Sequence, residues 1–421
     1  MSFETISVVG LGYIGLPTAA MFASRKKKVI GVDVNQNAVD TINRGEIHIV
    51  EPDLDMIVHA AVTEGYLKAV TTPEPADAFL IAVPTPFKEC AEGEIPEPDL
   101  RFIEAASKAI APVLKKGDLV ILESTSPVGA TEQMAEWLAE ARGDLTFPQA
   151  AGENADVNVA HCPERVLPGH VVRELVENDR VIGGMSTRCS ERSVELYKTF
   201  VLGECVITNA RTAEMAKLTE NSCRDVQIAF ANELSVICDK LDINVWELIS
   251  LANRHPRINI LQPGPGVGGH CIAVDPWFIV SKTPEEAQII HTARKVNDAK
   301  PEWVINKVKL AIAEFLQANP DKTAREVTVA CYGLAFKPDI DDLRESPAMA
   351  ITQKISKMHA GRVVAVEPNI KAAPKNLESV ELLDFGMASK EADVQVLLVD
   401  HKEFKEASIT NGIIIDTKGI W

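Results

Sequence analysis

A cysteine follows a segment rich in glycine and proline in the sequence GPGVGGHCIAVDP (264–276). Glycines and prolines dominate the residues before Cys271, and Asp275 follows four residues later. If a helical turn opens at Cys271, the helix dipole favours the thiolate, although Pro276 would keep such a turn short. The spacing makes Cys271 a candidate nucleophile, with a buried core thiol as the alternative.

Three polar residues could assist such a nucleophile. Lys217 and Asn221 are four residues apart in a predicted helix, so they share a face and could both donate to a developing oxyanion. The alternative for this pair is a solvated surface position. Glu164, in HCPERVLPG, is either a general base or the partner of Arg165 in an ordinary salt bridge.

A second group of residues predicts a dinucleotide site. Gly10-Leu11-Gly12-Tyr13-Ile14-Gly15 matches G-x-G-x-x-G between a predicted strand and helix, where backbone N–H groups face a pyrophosphate. Asp33 ends the next strand, 18 residues after Gly15, where it could bind ribose hydroxyls. No arginine follows to receive a 2′-phosphate, so NAD is favoured over NADP. The alternative is a turn that only packs.

Thr85 and Thr125 follow two further apolar runs, in PTP (84–86) and ESTSP (123–127). Ligands of open α/β sheets bind at the carboxyl ends of the strands. Both threonines are therefore candidate cofactor ligands, with simple helix caps as the alternative.

Alternating strands and helices must position these residues. Apolar runs at 5–9, 29–33, 79–86 and 119–127, with helical patterns at 103–114 and 132–141, predict a parallel sheet covered on both faces. Residues 212–241 lack glycine and proline and predict one long helix that braces domains or subunits. The alternation of strands and helices resumes towards the C-terminus, with strands predicted in 327–337, 363–367, 394–400 and 412–416. We expect an α/β fold of two doubly wound Rossmann-like domains joined by a long central helix.

Composition narrows the class of protein. The 421 residues imply two or three domains, and a net charge of -17 argues against binding a nucleic-acid backbone. The eight cysteines and nine histidines show no metal-ligand spacing, so we expect no metal and reduced thiols in the cytoplasm. The uncharged run 5–24 is long enough to span a membrane, but its glycines and Pro17 favour a strand, turn and helix, so we expect no membrane insertion.

The chain resembles the nucleotide-sugar 6-dehydrogenases, the family of UDP-glucose dehydrogenase. The resemblance rests on GLGYIGLP, Asp33, ESTSPVG, CPERVLPG, AEMAKLTEN, GPGVGGHC with Asp275, GLAFKP (333–338) and LRES (343–346), in that order. It implies an NAD-binding Rossmann domain (1–205), a central helical domain that dimerises (206–315) and a UDP-sugar-binding Rossmann-like domain (316–421). It also implies a homodimer, NAD as the cofactor and a UDP-sugar as the substrate.

The resemblance assigns roles by motif. Cys271 matches the catalytic thiol, Lys217 and Asn221 the pair that orients water and oxyanion, Asp275 an acid–base carboxylate, Glu164 the hydrolytic base and Thr125 an active-site threonine. The implied cofactor residues are Gly10, Gly12, Tyr13, Ile14, Gly15, Asp33, Thr85 and Thr125. The implied substrate residues are Arg165, Val166, Lys217, Asn221, Arg257, Gly266, Gly268, Lys337 and Arg344, where Arg257 stands closer to the cysteine than the family pattern has it.

The reaction implied is a four-electron oxidation of the sugar C6 alcohol to a carboxylate. An aldehyde has no hydride to give until a nucleophile adds, which is why a thiol is needed. Val267, His270 and Pro168 depart from the UDP-glucose pattern and favour UDP-N-acetylmannosamine, with UDP-N-acetylglucosamine or UDP-glucose as alternatives. The rival functions are a two-electron β-hydroxyacid dehydrogenase and an NAD-binding regulatory module.

Overall fold

The computed structural model describes residues 3–91, 93–167, 169–269, 271–407 and 409–421. The chain forms two compact units. The first comprises the chain up to Glu220 together with Trp277–Lys282, and the second comprises Asn221–Pro276 and Thr283–Trp421. Pro168 and His270, which support the expected substrate, lie outside the described residues.

The strands and helices follow the alternation expected from the sequence. Up to residue 209 they are β1 (Thr5–Val9), α1 (Gly15–Ser24), β2 (Lys28–Val32), α2 (Gln36–Asn43), α3 (Leu54–Thr63), β3 (Leu67–Val70), β4 (Ala78–Ile81), α4 (Arg101–Ile110), β5 (Leu119–Leu122), α5 (Ala130–Ala141), α6 (Pro148–Ala151), β6 (Asn158–His161), α7 (Val171–Glu177), β7 (Arg180–Gly184), α8 (Thr187–Tyr197) and β8 (Cys205–Asn209). The chain continues with α9 (Ala210–Lys240), α10 (Val245–Ala252), α11 (Asp275–Lys282), α12 (Gln288–Ala318), β9 (Val329–Tyr332), α13 (Pro347–Met358), β10 (Val363–Val366), β11 (Glu381–Leu382), α14 (Phe385–Glu391), β12 (Val394–Leu397), α15 (Lys402–Lys405) and β13 (Ile413–Asp416).

The first sheet has the strand order β3-β2-β1-β4-β5-β6-β7-β8. Every residue of β4 and β5 is buried, as expected of strands covered on both faces. The sequence predicted a parallel sheet, but β6 and β7 pair antiparallel, with Ala160 opposite Gly184. Because antiparallel neighbours are joined at one edge of the sheet, residues 162–167 lie at the carboxyl end of β6. This connection places Glu164 at the edge where the other strands end.

The second sheet has the order β11-β10-β9-β12-β13 and is parallel throughout. Its core includes residues from the second half of α12, among them Val304 and Val308, and all four residues of β9 are buried. The predicted strands of this region are confirmed, and β11 is an addition of two residues. The two sheets confirm the expected fold class of two Rossmann-like domains with a long helix between them.

Two long helices lie in the middle of the chain. The predicted helix over 212–241 is α9, which has 31 residues. The sequence does not predict α12, also 31 residues, because Pro301 lies inside it and proline normally ends a helix. Tertiary contacts stabilise α12, since Arg294 pairs with Asp225 at 2.6 Å and both side chains are buried. Among the described residues, no helix is long and apolar enough to cross a bilayer.

Candidate active site

The turn after β1 has the geometry that a dinucleotide requires. Gly10 has φ of 91°, and a Cβ on it would lie 2.6 Å from the carbonyl oxygen of Ala82. A Cβ on Gly15 would lie 1.7 Å from the carbonyl oxygen of Gly10, so this residue must be glycine for α1 to pack. A Cβ on Gly12 would meet nothing within 4 Å, which leaves open space at the N-terminus of α1. Tyr13 and Ile14 line the same turn and are half-buried.

Asp33 holds that turn in place. Its carboxylate accepts hydrogen bonds from the N–H of Leu11 (2.9 Å) and of Asn35 (2.9 Å). The side chain of Asn35 caps α2, and Val34 is exposed. The carboxylate therefore has a positioning role that the sequence does not predict, and the ribose contact expected of it stays a prediction.

The next two strands bring threonines to the same edge of the sheet. Thr85 follows β4, and its hydroxyl oxygen is buried without a hydrogen-bond partner in the described part of the chain. Thr125 follows β5 and is half-buried. The neighbouring Ser124 donates to the carbonyl of Val83 (2.6 Å), which links the two strand ends. The open space at Gly12 and the unpartnered Thr85 hydroxyl fit a bound dinucleotide.

Glu164 belongs to a buried ionic cluster that was not anticipated. It is 8 % exposed and pairs with Arg180 (2.9 Å) at the start of β7. Arg180 lies 3.8 Å from the carboxylate of Glu123, which also accepts a hydrogen bond from the hydroxyl of Tyr197 (2.6 Å). Burial raises the pKa of Glu123 to about 7, against the opposing effect of Arg180.

The alternative interpretation of Glu164 as the salt-bridge partner of Arg165 is wrong. The guanidinium of Arg165 pairs with Glu220 (2.7 Å), and only the backbone N–H of Arg165 donates to Glu164 (2.8 Å). Val166, the next residue, is half-buried against the core of the first unit. The substrate role of Arg165 and Val166 stays a prediction.

Cys271 lies at the start of a turn that leads into α11. The N–H groups of Val274 (3.0 Å) and Asp275 (2.8 Å) both donate to the carbonyl of Cys271. Pro276 does not shorten this turn as expected, because it occupies the first turn of α11, where its missing N–H costs nothing. The side chain of Cys271 is exposed, so the alternative of a buried core thiol is wrong.

Asp275 connects this turn to α9. It is 2 % exposed and accepts a hydrogen bond from the side-chain amide of Asn221 at 2.5 Å. Lys217 lies one helical turn before Asn221 on α9 and is half-buried. The structure therefore brings together Cys271, Asp275 and Asn221 within the second unit. An exposed thiol in the same turn as a buried carboxylate that an amide holds is suited to covalent catalysis.

Glycine is required before Cys271 for a different structural reason from the one expected. The sequence suggested that these glycines let the backbone approach a ligand. A Cβ on Gly268 would lie 2.4 Å from the carbonyl oxygen of Glu345, and one on Gly266 would lie 2.9 Å from Pro347. These glycines are needed because the chain packs closely against the segment that leads into α13. The substrate role of Gly266 and Gly268 stays a prediction.

The remaining predicted substrate residues lie in the second unit. Lys337 is half-buried in the loop after β9. Arg344 is exposed in the same loop, and its guanidinium makes two bonds to Asp342 (2.9 and 2.6 Å). Arg257 is exposed after α10.

Comparison with known proteins assigns the family. Three domain models of the UDP-glucose/GDP-mannose dehydrogenase family match: the NAD binding domain at residues 4–201, the central domain at 211–299 and the UDP binding domain at 330–421. A UDP-N-acetyl-D-mannosamine dehydrogenase of Yersinia pestis is 69% identical over 425 residues, covering 100% of both chains. An NDP-N-acetyl-D-galactosaminuronic acid dehydrogenase of Ralstonia solanacearum is 63% identical, covering 100% of this chain and 97% of that protein.

A solved structure agrees in fold and in family. The UDP-N-acetyl-mannosamine dehydrogenase of Staphylococcus aureus has a TM-score of 0.85 and 42% identity, covering 99% of this chain and 95% of that chain. The family, the enzyme class and NAD as the cofactor are thereby confirmed. The chain belongs to the UDP-glucose/GDP-mannose dehydrogenase family.

Proposed function

We propose that the protein oxidises the C6 alcohol of UDP-N-acetyl-D-mannosamine to the carboxylate, with two NAD⁺ as the oxidant. The cluster of Cys271, Asp275 and Asn221 is the observation that carries the four-electron reaction, because a two-electron alcohol dehydrogenase needs no exposed thiol. The relatives at 69% and 42% identity support the choice of sugar, since both are named for this substrate.

The residues of the first unit hold the cofactor. The turn Gly10–Gly15, Asp33, Thr85 and Thr125 lie at the carboxyl ends of four neighbouring strands. NAD⁺ supplies the oxidising power, since it accepts a hydride in each of the two oxidations. The carboxylate of Asp33 would repel a 2′-phosphate, which favours NAD over NADP.

The thiol makes the second oxidation possible. The first oxidation converts the C6 alcohol into an aldehyde and releases one proton. The Cys271 sulfur then adds to the aldehyde carbon, and the resulting thiohemiacetal has a C–H bond that can be oxidised. Its oxidation gives a thioester on Cys271. Lys217 and Asn221 donate to the oxygen that carries negative charge in these steps, and Asp275 exchanges protons with it.

Hydrolysis of the thioester completes the reaction. Glu164 removes a proton from the attacking water, the C–S bond breaks, and Cys271 is regenerated as the carboxylate leaves. The sum is one alcohol, one water and two NAD⁺ converted into one carboxylate, two NADH and three protons. Thr125 and Arg165 complete the contacts to the reacting sugar.

The nucleotide part of the substrate is assigned to the second unit. Lys337, Arg344, Arg257, Gly266 and Gly268 would bind it, with Val166 lining the sugar site. We propose that the chain has three domains, with boundaries at 205/206 and 315/316. The central domain would hold two copies of the chain together as a homodimer. The eight thiols favour the reducing cytoplasm as the location of the enzyme.

A panel of UDP-sugars tests the proposal. The absorbance of NADH should show two NADH formed per UDP-N-acetylmannosamine, with a higher kcat/KM than for UDP-N-acetylglucosamine or UDP-glucose. The 63% identical relative makes UDP-N-acetylgalactosamine the second candidate, and the same panel should include it. Equal or better kcat/KM with any of these three sugars would overturn the proposed substrate. A stoichiometry of one NADH would overturn the mechanism.

A further inference from the structure

The first turns of the two sheets are built on the same plan. Gly10 after β1 and Gly333 after β9 have φ of 91° and 89°. Their N–H groups donate to the last residues of β2 and β10, Val32 (2.8 Å) and Val366 (2.8 Å). A leucine follows each glycine, and its N–H donates to the acidic residue just after the neighbouring strand. The distances are 2.9 Å from Leu11 to Asp33 and 2.7 Å from Leu334 to Glu367.

Beyond the leucine the two turns differ. The first turn enters α1 at Gly15, so the helix itself fixes the backbone that faces the ligand. The second turn enters no helix until Pro347, the start of α13. Residues 335–346 form a loop that includes Lys337 and Arg344. This loop needs contacts other than a following helix to hold its shape, because an unsupported loop would lose conformational entropy on binding a ligand.

Three side chains supply such contacts. The N–H of Asp339 donates to Nδ1 of His401 (2.9 Å), so the ring proton is on Nε2, which donates to Glu367 (3.0 Å). Asn369 donates to the second carboxylate oxygen of Glu367 (3.0 Å) through its side-chain amide. The side chain of Asp339 in turn accepts from the N–H of Lys402 (3.0 Å). We call His401, Glu367 and Asn369 the brace.

Two of the three residues of the brace, His401 and Glu367, are buried. His401 is 0 % and Glu367 is 6 % exposed. Burial alone would raise the pKa of Glu367, but the hydrogen bonds from His401 and from the backbone lower it to about 2. The carboxylate is therefore a stable anion with all of its hydrogen-bonding capacity used by the chain. Unlike Asp33, it cannot be the residue that contacts a ribose.

We propose that the brace is a positioning element that holds the loop 335–346 in the shape that binds the nucleotide of the substrate. Nucleotide recognition in this unit then depends on Lys337 and Arg344, presented by a loop whose backbone is fixed at Asp339 through His401. The proposal rests on the proposed function only in taking UDP as the nucleotide.

Binding of UDP to the full-length protein tests the positioning role of the brace without requiring turnover. His401→Phe keeps an aromatic ring beside Phe404 but removes all three hydrogen bonds of the imidazole, those with Asp339, Glu367 and Asn369. Calorimetric titration should show UDP binding weakened about tenfold, the usual effect of losing a buried charge-assisted hydrogen bond. In turnover assays, KM for the UDP-sugar should rise while KM for NAD stays unchanged. His401→Gln, which retains a donor and an acceptor, should recover part of the affinity.

His359→Phe is the matched control. His359 is in the same unit and bonds to the carbonyl of Val327 (2.7 Å), just before β9 begins and thus at the opposite edge of the sheet. This variant should bind UDP as the wild type does. If His401→Phe does not fold, Asn369→Ala removes two bonds of the brace from a half-buried position, to Glu367 (3.0 Å) and to His401 (3.2 Å). It leaves the bonds from His401 to Asp339 and Glu367 in place, so it should weaken UDP binding to a smaller degree.

The outcomes separate the two proposals. If the wild type does not bind UDP, the proposed function fails. If the wild type binds UDP and the folded His401→Phe variant binds it equally well, the proposed function stands and the brace has no role in recognition. A parallel loss of affinity for UDP and for NAD would also overturn the brace, since it would indicate general destabilisation.

Discussion

Cys271 and Asp275 differ in exposure although they lie in one turn. The thiol is exposed and can meet a substrate, whereas the carboxylate is 2 % exposed and is fixed by the amide of Asn221. This division suits a nucleophile that must form and break a bond beside a group that only has to exchange protons. The glycine-rich motif and the spacing of the two residues predict a turn of this kind from the sequence, and the catalytic roles of Cys271 and Asp275 stay predictions.

Replacing the thiol should separate the two oxidations. Cys271→Ala should lower the rate of carboxylate formation by about 10³-fold or more, since removing a nucleophile costs most of the rate due to the whole catalytic unit. The variant should still bind NAD and UDP, and it should still reduce the C6 aldehyde with NADH because that step needs no thiol. Stopped assays that quantify alcohol, aldehyde and carboxylate measure each species.

Cys90 provides the control for this experiment. It is also exposed but lies between β4 and α4, outside the turn that carries Cys271. Cys90→Ala should form two NADH per sugar at the wild-type rate. Two NADH per sugar from Cys271→Ala at that rate would mean that the thiol has only a structural role.

At the scale of elements, the buried cluster connects four parts of the first unit. Glu123 follows β5, Glu164 follows β6, Arg180 begins β7 and Tyr197 ends α8. Two carboxylates share one guanidinium, so the cluster is short of positive charge when both are ionised. Together with burial, which is the larger cause, this raises the pKa of Glu123 to about 7.

The raised pKa predicts a specific dependence of stability on pH. In the unfolded chain Glu123 has the ordinary glutamate pKa of 4.5, so between about pH 4.5 and 7 the folded protein binds more protons at this residue than the unfolded chain does. The contribution of Glu123 to stability is therefore present below pH 4.5 and is lost as the pH rises through 7. A tenfold difference in proton affinity between the two states corresponds to about 1.4 kcal/mol.

Glu123→Gln should remove this loss, because glutamine stays neutral and can still accept from Tyr197. Relative to the wild type, the variant should become progressively more stable from pH 5 to pH 8, as measured by urea denaturation at each pH. Glu132→Gln is the control, since Glu132 is on the surface in an ion pair with Arg211 (2.6 Å). A difference between Glu123→Gln and the wild type that does not change with pH would contradict the shifted pKa.

The same elements show how far the sequence could predict the structure. The strands and α9 were predictable because their apolar residues recur at the period of the element that they form. The buried cluster around Arg180 was not predictable from the sequence. Arg180 and Tyr197 meet Glu123 only through the antiparallel pairing of β6 and β7, and local sequence patterns do not encode the direction in which strands pair. Helix α12 was missed for a similar reason, since contacts such as that of Arg294 with Asp225 outweigh the cost of Pro301.

At the scale of the whole molecule, two nucleotide-binding sheets share the strand order 3-2-1-4-5 and the same glycine turn. Only the first turn leads directly into a helix and leaves its acidic residue, Asp33, in reach of a ligand. In the second, Glu367 is enclosed by His401 and Asn369. The two proposed sites therefore differ: the first would bind its nucleotide at the helix N-terminus, and the second would bind it through side chains of the braced loop.

The surface that would form the proposed homodimer lies on α9. Four residues on one face of this helix and just after it are exposed: Cys223, Phe230, Ile237 and Leu241. They recur at intervals of seven and four residues, which keeps them on one side of the helix. Phe230 is 52 % and Leu241 is 61 % exposed. A continuous apolar stripe of this kind typically packs against a partner, and a second copy of the same helix offers a matching one.

Phe230→Asp should therefore convert the dimer into a monomer. Each dimer would have to bury two copies of the new carboxylate in an apolar contact, which costs more than the loss of the phenylalanine alone, about 1.5–3 kcal/mol per copy. Light scattering after gel filtration should give about 46 kDa for the variant and twice that mass for the wild type.

Arg224→Asp is the matched control, because Arg224 is exposed on the same helix about 120° away from Phe230, and it should remain dimeric. A wild type that elutes as a monomer would reject the dimer, and a Phe230→Asp variant that stays dimeric would place the interface on another surface.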